Sequence, residues 1–163
     1  MSKFTQSVKD FVNNIINKKL KEGIDGLRHI AIIIPMYKLT HVNDQNVIVA
    51  ENYSFGKGRG SVHAEDNAIR KLKSNPTKNK KILMFVIRVS KTGQFGMSKP
   101  CSHCLWKICN LIPKKGYKLT KLFFSVGKNS MRENVASSNY LEMYPNVDSI
   151  KCMQSKVSSF FKQ

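Results

Sequence analysis

Apolar side chains recur at Phe4, Val8, Phe11, Val12, Ile15, Ile16 and Leu20. This is the spacing of one helical face, and it predicts a helix over residues 3–21 that stops at Gly23. Lys9, Lys18, Lys19 and Lys21 form its solvated side. The period then changes. Residues 29–34 are a continuous, isoleucine-rich run, too short and too apolar for an exposed helix, and predict a buried strand. A polar stretch over 40–46, with Asn43-Asp44 as its turn, separates this run from the apolar residues 47–50. Two strands joined by a polar turn predict an antiparallel hairpin.

Residues 52–60 carry glycines at 56, 58 and 60 with Lys57 and Arg59 between them. That spacing forbids a helix and lets backbone approach a ligand closely. Val62, Ala64, Ala68, Ile69 and Leu72 restore the helical period as far as about Lys73, with Ser61 as the expected N-cap. After a polar break over 74–80, residues 82–89 form the next buried strand, and 92–96 turn out of it. Leu105, Ile108, Cys109, Leu111 and Ile112 mark a further helix after Pro100, ending at 113–116. Residues 119–126 are a fourth strand, and 134–144 and 148–161 are expected helices.

The order is helix, two strands, and then helices and strands in alternation. Strands separated by helical crossovers pair in parallel, whereas the direct strand pair at the start is antiparallel. The expected fold is therefore α/β, a three-layer α/β/α sandwich around a central mixed sheet of about five strands. At 163 residues the chain suits a single domain over 1–163, with its core at about 28–127.

Composition narrows the class. Hydrophobic residues make up 41% and charged residues 23%, globular values that exclude a disordered chain. No apolar run approaches the roughly 18 residues of a bilayer span, and no continuous signal-peptide core is present, so a cytoplasmic protein without membrane contact is expected. The net charge is +18, from 28 basic against 10 acidic residues. Such a field attracts polyanions, either nucleic acid or phosphorylated substrates. The basic residues are 23 lysines and only 5 arginines, however, and dedicated phosphate readers lean on arginine. Charge alone does not choose the partner.

Two stretches concentrate the chemistry. Ser61-Val62-His63-Ala64-Glu65 offers an imidazole and a carboxylate, and Pro100-Cys101-Ser102-His103-Cys104 offers two thiols. His63, Cys101 and Cys104 make three ligands for a zinc ion, and the fourth tetrahedral position stays open, as in catalytic sites. Cys101 and Cys104, three apart, share one face of a first helical turn, where the helix dipole favours thiolate. Glu65 is placed to serve as acid/base without binding the metal. Zinc lowers the pKa of a bound water to about 7. Each half alone would say little: Cys-x-x-Cys is also a redox pair, or half of a structural zinc site completed by His103 or Cys109. Together, each at the start of an expected helix with a strand between them, they form the His-x-Glu and Pro-Cys-x-x-Cys pattern of zinc deaminases. Cys109 and Cys152 lie in apolar surroundings and read as ordinary buried thiols.

On these motifs the chain resembles the cytidine deaminase-like superfamily over roughly residues 30–126. The resemblance implies one catalytic zinc held by His63, Cys101 and Cys104, with Glu65 as the proton shuttle of a hydrolytic deamination. His63-Ala64-Glu65-Asp66-Asn67-Ala68-Ile69 is similar to free-nucleotide deaminases of the deoxycytidylate type. Asn52, eleven positions before His63, is similar to the asparagine with which family members bind substrate, and Ala64 is expected as a further substrate contact. The Asn52 spacing, with Gly56, is also similar to tRNA adenosine deaminases. The resemblance further implies a fifth strand after Val126, which the pattern of residues 127–144 does not show, and its orientation separates the free-nucleotide branch from several nucleic-acid branches. The metal-ligand-rich insert of some deoxycytidylate deaminases is absent, so no second zinc is expected.

The expected function is deamination of a cytosine nucleoside or nucleotide (CMP/dCMP type), by a homo-oligomer. Two alternatives stand beside it. One is deamination of bases within RNA or DNA, for which the +18 charge argues; the other is a basic zinc protein that binds nucleic acid without turnover. Tyr53, Phe55 and Trp106 are candidates to stack on a base, and Lys57, Arg59 and Lys99 could meet a phosphate.

Overall fold

The computed structural model describes residues 3–22, 28–37, 47–56, 60–77, 79–126 and 141–143. A helix α1 (Lys3–Lys21) leads into strand β1 (Arg28–Pro35) and β2 (Ile48–Glu51). Two short strands, β3 (Tyr53–Ser54) and β4 (Ser61–Val62), precede α2 (Ala64–Lys71). Then come β5 (Lys80–Val89), β6 (Phe95–Gly96), α3 (Ser102–Lys114), β7 (Tyr117–Ser125) and β8 (Leu141–Met143).

The central sheet runs β2-β1-β5-β7-β8, with β6 on an extension of β5. β1 is antiparallel to β2 and β5, whereas β5 and β7, joined through α3, are parallel. The mixed sheet and its three-layer arrangement are as expected from the chain order. The two sheet faces separate the apolar residues by parity. Ile30, Ile32, Ile34, Leu83, Phe85 and Ile87 pack against Val8, Val12, Ile15 and Ile16 of α1. Ala31, Ile33, Ile82, Met84 and Val86 pack against Ala68 and Ile69 of α2 and Ile108 and Ile112 of α3. Burial on both faces explains why β1 and β5 are continuous apolar runs instead of alternating ones.

Two expectations are corrected. Ser61 is not the N-cap of α2: it pairs with Ser54 in a small hairpin, and His63, with extended φ −70° and ψ 153°, is the N-cap. The helix is correspondingly shorter than residues 62–73. α3 ends at Lys114, within the expected 113–116, with Pro113 in its last turn, where a proline forfeits one backbone bond but leaves the turn standing. Leu141–Met143, inside the segment expected to be helical over 134–144, is a strand antiparallel to β7. It is the fifth member of the sheet. The turn at Asn43-Asp44, the remainder of 134–144, the helix at 148–161, and Lys57, Arg59 and Cys152 lie outside the described residues.

No helix among the described residues is long and apolar enough to cross a membrane. One glycine is required by the packing beneath the site. Gly116, at φ +84°, turns α3 into β7, and a Cβ there would collide with the Asn75 carbonyl.

Candidate metal centre

The strand directions bring several chain segments to one edge of the sheet. β2, β5 and β7 all end there, α2 and α3 both start there, and β1 begins there. Outside the carboxyl ends of parallel strands is where open α/β sheets hold ligands.

At that edge His63 Nδ1 lies 3.3 Å from Cys104 Sγ and 3.6 Å from Cys101 Sγ. The three donor atoms all fall within 4.8 Å of one another. Ligands at zinc's usual Zn–N and Zn–S lengths in a tetrahedron stand roughly 3.6 Å apart, nitrogen to sulfur. The donor set could therefore hold one metal ion. Among the described residues no other group of three His, Cys, Asp or Glu side chains is so placed.

Helix ends produce this geometry. His63 and Cys101 are each the N-cap of their helix, both in extended conformation, so their side chains leave before the helical spiral begins. Cys104, in the first turn of α3, donates its backbone N–H to Cys101 Sγ at 3.5 Å, which holds the two sulfurs on one face. Pro100, buried, fixes the approach.

Glu65 is 3% exposed. Because His63 is outside the helix, the two-residue offset between them does not turn the carboxylate away, and it lies in hydrogen-bond range of Cys104. Burial raises its pKa, partly opposed by its own backbone N–H, His63 and Cys104. Burial also pushes the Cys104 thiol up, and the negative charges of Glu65 and Cys101 add to this. A cation between them would reverse that tendency, since a metal favours the deprotonated thiol.

Asn52 and Ala64 differ in what they can offer. The Asn52 side chain is exposed at the end of β2, and its Oδ1 accepts the His29 N–H at 2.8 Å. That leaves the Asn52 amide nitrogen as its group for a ligand. The Ala64 side chain is fully buried in the core, so only its backbone is available. The first α2 N–H bonded within the helix is that of Asn67, to His63 O, so Ala64, Glu65 and Asp66 have amides with no intrahelical acceptor. Tyr53 and Phe55, in the β3–β4 hairpin segment that leads into His63, are 40% and 55% exposed, with ring centroids 5.3 Å apart in a T-shaped pair. Trp106 is exposed on α3, while Cys109 is half-buried against the core.

Sequence reasoning missed the residues that hold the two helices in place. Asp66, buried on α2, receives Lys107 Nζ of α3 at 2.7 Å and Arg70 Nη2 at 3.0 Å. Asn67 Nδ2 donates to Glu51 O at 2.8 Å, tying α2 to β2. Ser98 and Ser125, both buried, join the strand ends: Ser98 Oγ donates to Val86 O at 2.6 Å and accepts the Ser125 N–H at 2.8 Å. Ser125 Oγ in turn donates to Gly96 O at 2.7 Å and accepts the Arg88 N–H at 3.0 Å. This knot anchors the segment that enters Pro100-Cys101. The Asp66-Arg70 spacing was a local signal; the contacts across elements had none.

No protein-family model, curated protein sequence or solved structure matches this chain.

Proposed function

We propose that this protein is a zinc-dependent hydrolytic deaminase of the cytidine deaminase-like superfamily, acting on a cytosine nucleoside or nucleotide. The observation that carries the reading is the juxtaposition of His63, Cys101 and Cys104 with a buried carboxylate, Glu65, that is not needed as a ligand. A structural zinc site would be closed by a fourth protein donor.

In this reading His63 Nδ1 and the two sulfurs hold the ion, which when bound supplies the acidity that makes water a nucleophile near neutral pH. Glu65 accepts one proton of the attacking water and delivers it to the ring nitrogen; it then takes the hydroxyl proton of the resulting adduct and delivers that to the amine, which leaves as ammonia as the C–N bond breaks and the carbonyl forms. Burial pushes its pKa upward from the ordinary carboxylate range, the direction that helps a group which must give up the protons it takes. The Asn52 amide nitrogen donates to an acceptor on the sugar or base, and the Ala64 N–H offers a second donor at the start of α2. Burial of Glu65 keeps bulk water from competing for its proton.

The reading is tested by ammonia release from a panel of cytosine and adenine nucleosides, nucleotides and oligonucleotides. Turnover of cytosine compounds, lowered about 10²–10⁴-fold in Glu65→Gln, is the expected result. Full activity in Cys104→Ala, or no turnover of any substrate by the zinc-loaded protein, contradicts it.

A second reading, deamination of a base within single-stranded nucleic acid, is favoured by one observation: the exposed Tyr53–Phe55 pair in the segment that leads into His63, on a chain of charge +18. Exposed aromatics beside a basic surface are what unstacked bases bind. Faster turnover of an oligonucleotide than of the free nucleotide, with strong salt sensitivity, would favour this reading.

A further inference from the structure

Arg88 sits at the carboxyl end of β5, the central strand, in register with His29 of β1 on one side and Gly96 of β6 on the other. It has the parity of Ile82, Met84 and Val86, so it belongs to the sheet face that α2 and α3 cover. The end of β5 lies at the sheet edge where α2 and α3 begin, with His63 and Cys101 as their N-caps. His29, whose N–H donates to Asn52 Oδ1, connects Arg88 to the His63 arm, and Ser125, whose Oγ accepts the Arg88 N–H, connects it to the Cys101 arm. Arg88 therefore lies between the two motif-bearing segments.

Its side chain is the unusual feature. Arg28 is paired with Glu51 and Arg70 with Asp66, but among the described residues the Arg88 guanidinium has no carboxylate, and its buried Nε has no hydrogen-bond partner there. The aliphatic stem lies directly over Gly96, where a Cβ would come within 2.9 Å of Arg88 Cδ. Glycine at 96 thus leaves room for this one course of the side chain. A buried donor without an acceptor is destabilising, and guanidinium carries its donors in a fork that matches two oxygens of a phosphate.

We infer that Arg88 is a specificity-determining residue that binds a phosphate of the substrate, so that the enzyme acts on phosphorylated cytosine compounds in preference to nucleosides. This rests on the deaminase reading for its substrate, but the anion site itself does not. The phosphate can be the monoester of a free nucleotide or a diester of a strand, and the same chemistry recognises both.

The first arm titrates inorganic phosphate into the zinc-loaded protein and follows the Arg88 Nε–Hε resonance, assigned by its loss in Arg88→Met. A saturable shift is expected; no shift overturns the inference. This arm needs no turnover, so a shift in a protein that deaminates nothing leaves the anion site standing while the deaminase reading falls. The second arm compares kcat/KM for cytidine, cytidine 5′-monophosphate and a short single-stranded oligonucleotide with one cytosine. In Arg88→Met the ratio of phosphorylated to unphosphorylated substrate should fall about 10–100-fold, with Arg88→Lys in between. A fall for the monophosphate identifies the monoester as the source, and a fall for the oligonucleotide alone identifies the diester. An equal loss on all three substrates, which a purely structural role would give, overturns the inference.

Discussion

Asp66 on α2 and Lys107 on α3 meet at 2.7 Å, and this partly buried ion pair joins the two helices whose N-terminal ends carry the candidate metal donors. Asp66 immediately follows Glu65, and Lys107 lies three residues after Cys104. A change in the angle between the helices therefore moves His63 against the two sulfurs.

Lys107→Met should remove the clamp while keeping the apolar stem. Arg70 still holds Asp66, so the expected cost is modest, about 1–2 kcal/mol in urea unfolding. Zinc affinity should weaken about tenfold, the scale of losing a group that orients metal ligands, as measured by competition with a chromophoric chelator. Unchanged zinc affinity together with unchanged stability would mean that the pair does not set the helix angle.

Acid should act on the same pair. Burial opposes the charged form of Asp66, but the hydrogen bonds from Lys107 and Arg70 outweigh it and hold the carboxyl below its ordinary range. A carboxyl with a lower pKa in the folded state stabilises the fold fully above the unfolded value of about 3.9, and that contribution is lost as pH falls below it. In chelator, so that metal release is not confounded, the urea midpoint should drop more between pH 6 and pH 3 for the wild type than for Asp66→Asn. Parallel curves would refute the linkage.

Metal removal should have a local signature. The protein should bind one zinc per chain, and His63→Ala, Cys101→Ala and Cys104→Ala should each lose most of it by elemental analysis, whereas Glu65→Gln should retain it. Both helices pack on the sheet through their own apolar faces, so the chelated protein should keep its far-ultraviolet circular dichroism. Retention of zinc by Cys104→Ala would exclude this donor set.

Ser98→Ala would strand the Ser125 N–H and the Val86 carbonyl in the interior. A loss of about 1–3 kcal/mol is expected, since an unpaired buried polar group costs its full desolvation. Cys101 lies three residues on, so kcat should fall as well, with KM little changed. Stability equal to wild type would show that the knot is dispensable.

The sequence by itself determined the layers and the chemistry. Isoleucine-rich runs over 29–34 and 82–89 are too apolar for anything but a doubly covered strand, and the 3.6-residue stripes of α1, α2 and α3 identify their buried sides. His63, Glu65, Cys101 and Cys104 were legible because short-range spacing and residue type carry their meaning. Local pattern failed where pairing decided. Leu141-Glu142-Met143 are good helix formers, yet they form a strand because β7 presents an edge to which they add. The tertiary structure alone brought His63 to sulfurs 38 and 41 residues away, joined Asp66 to Lys107, tied Ser98 to Ser125, and left Arg88 Nε without an acceptor among the described residues. Those relations depend on which strand ends share a sheet edge, and no window of neighbouring residues contains that information.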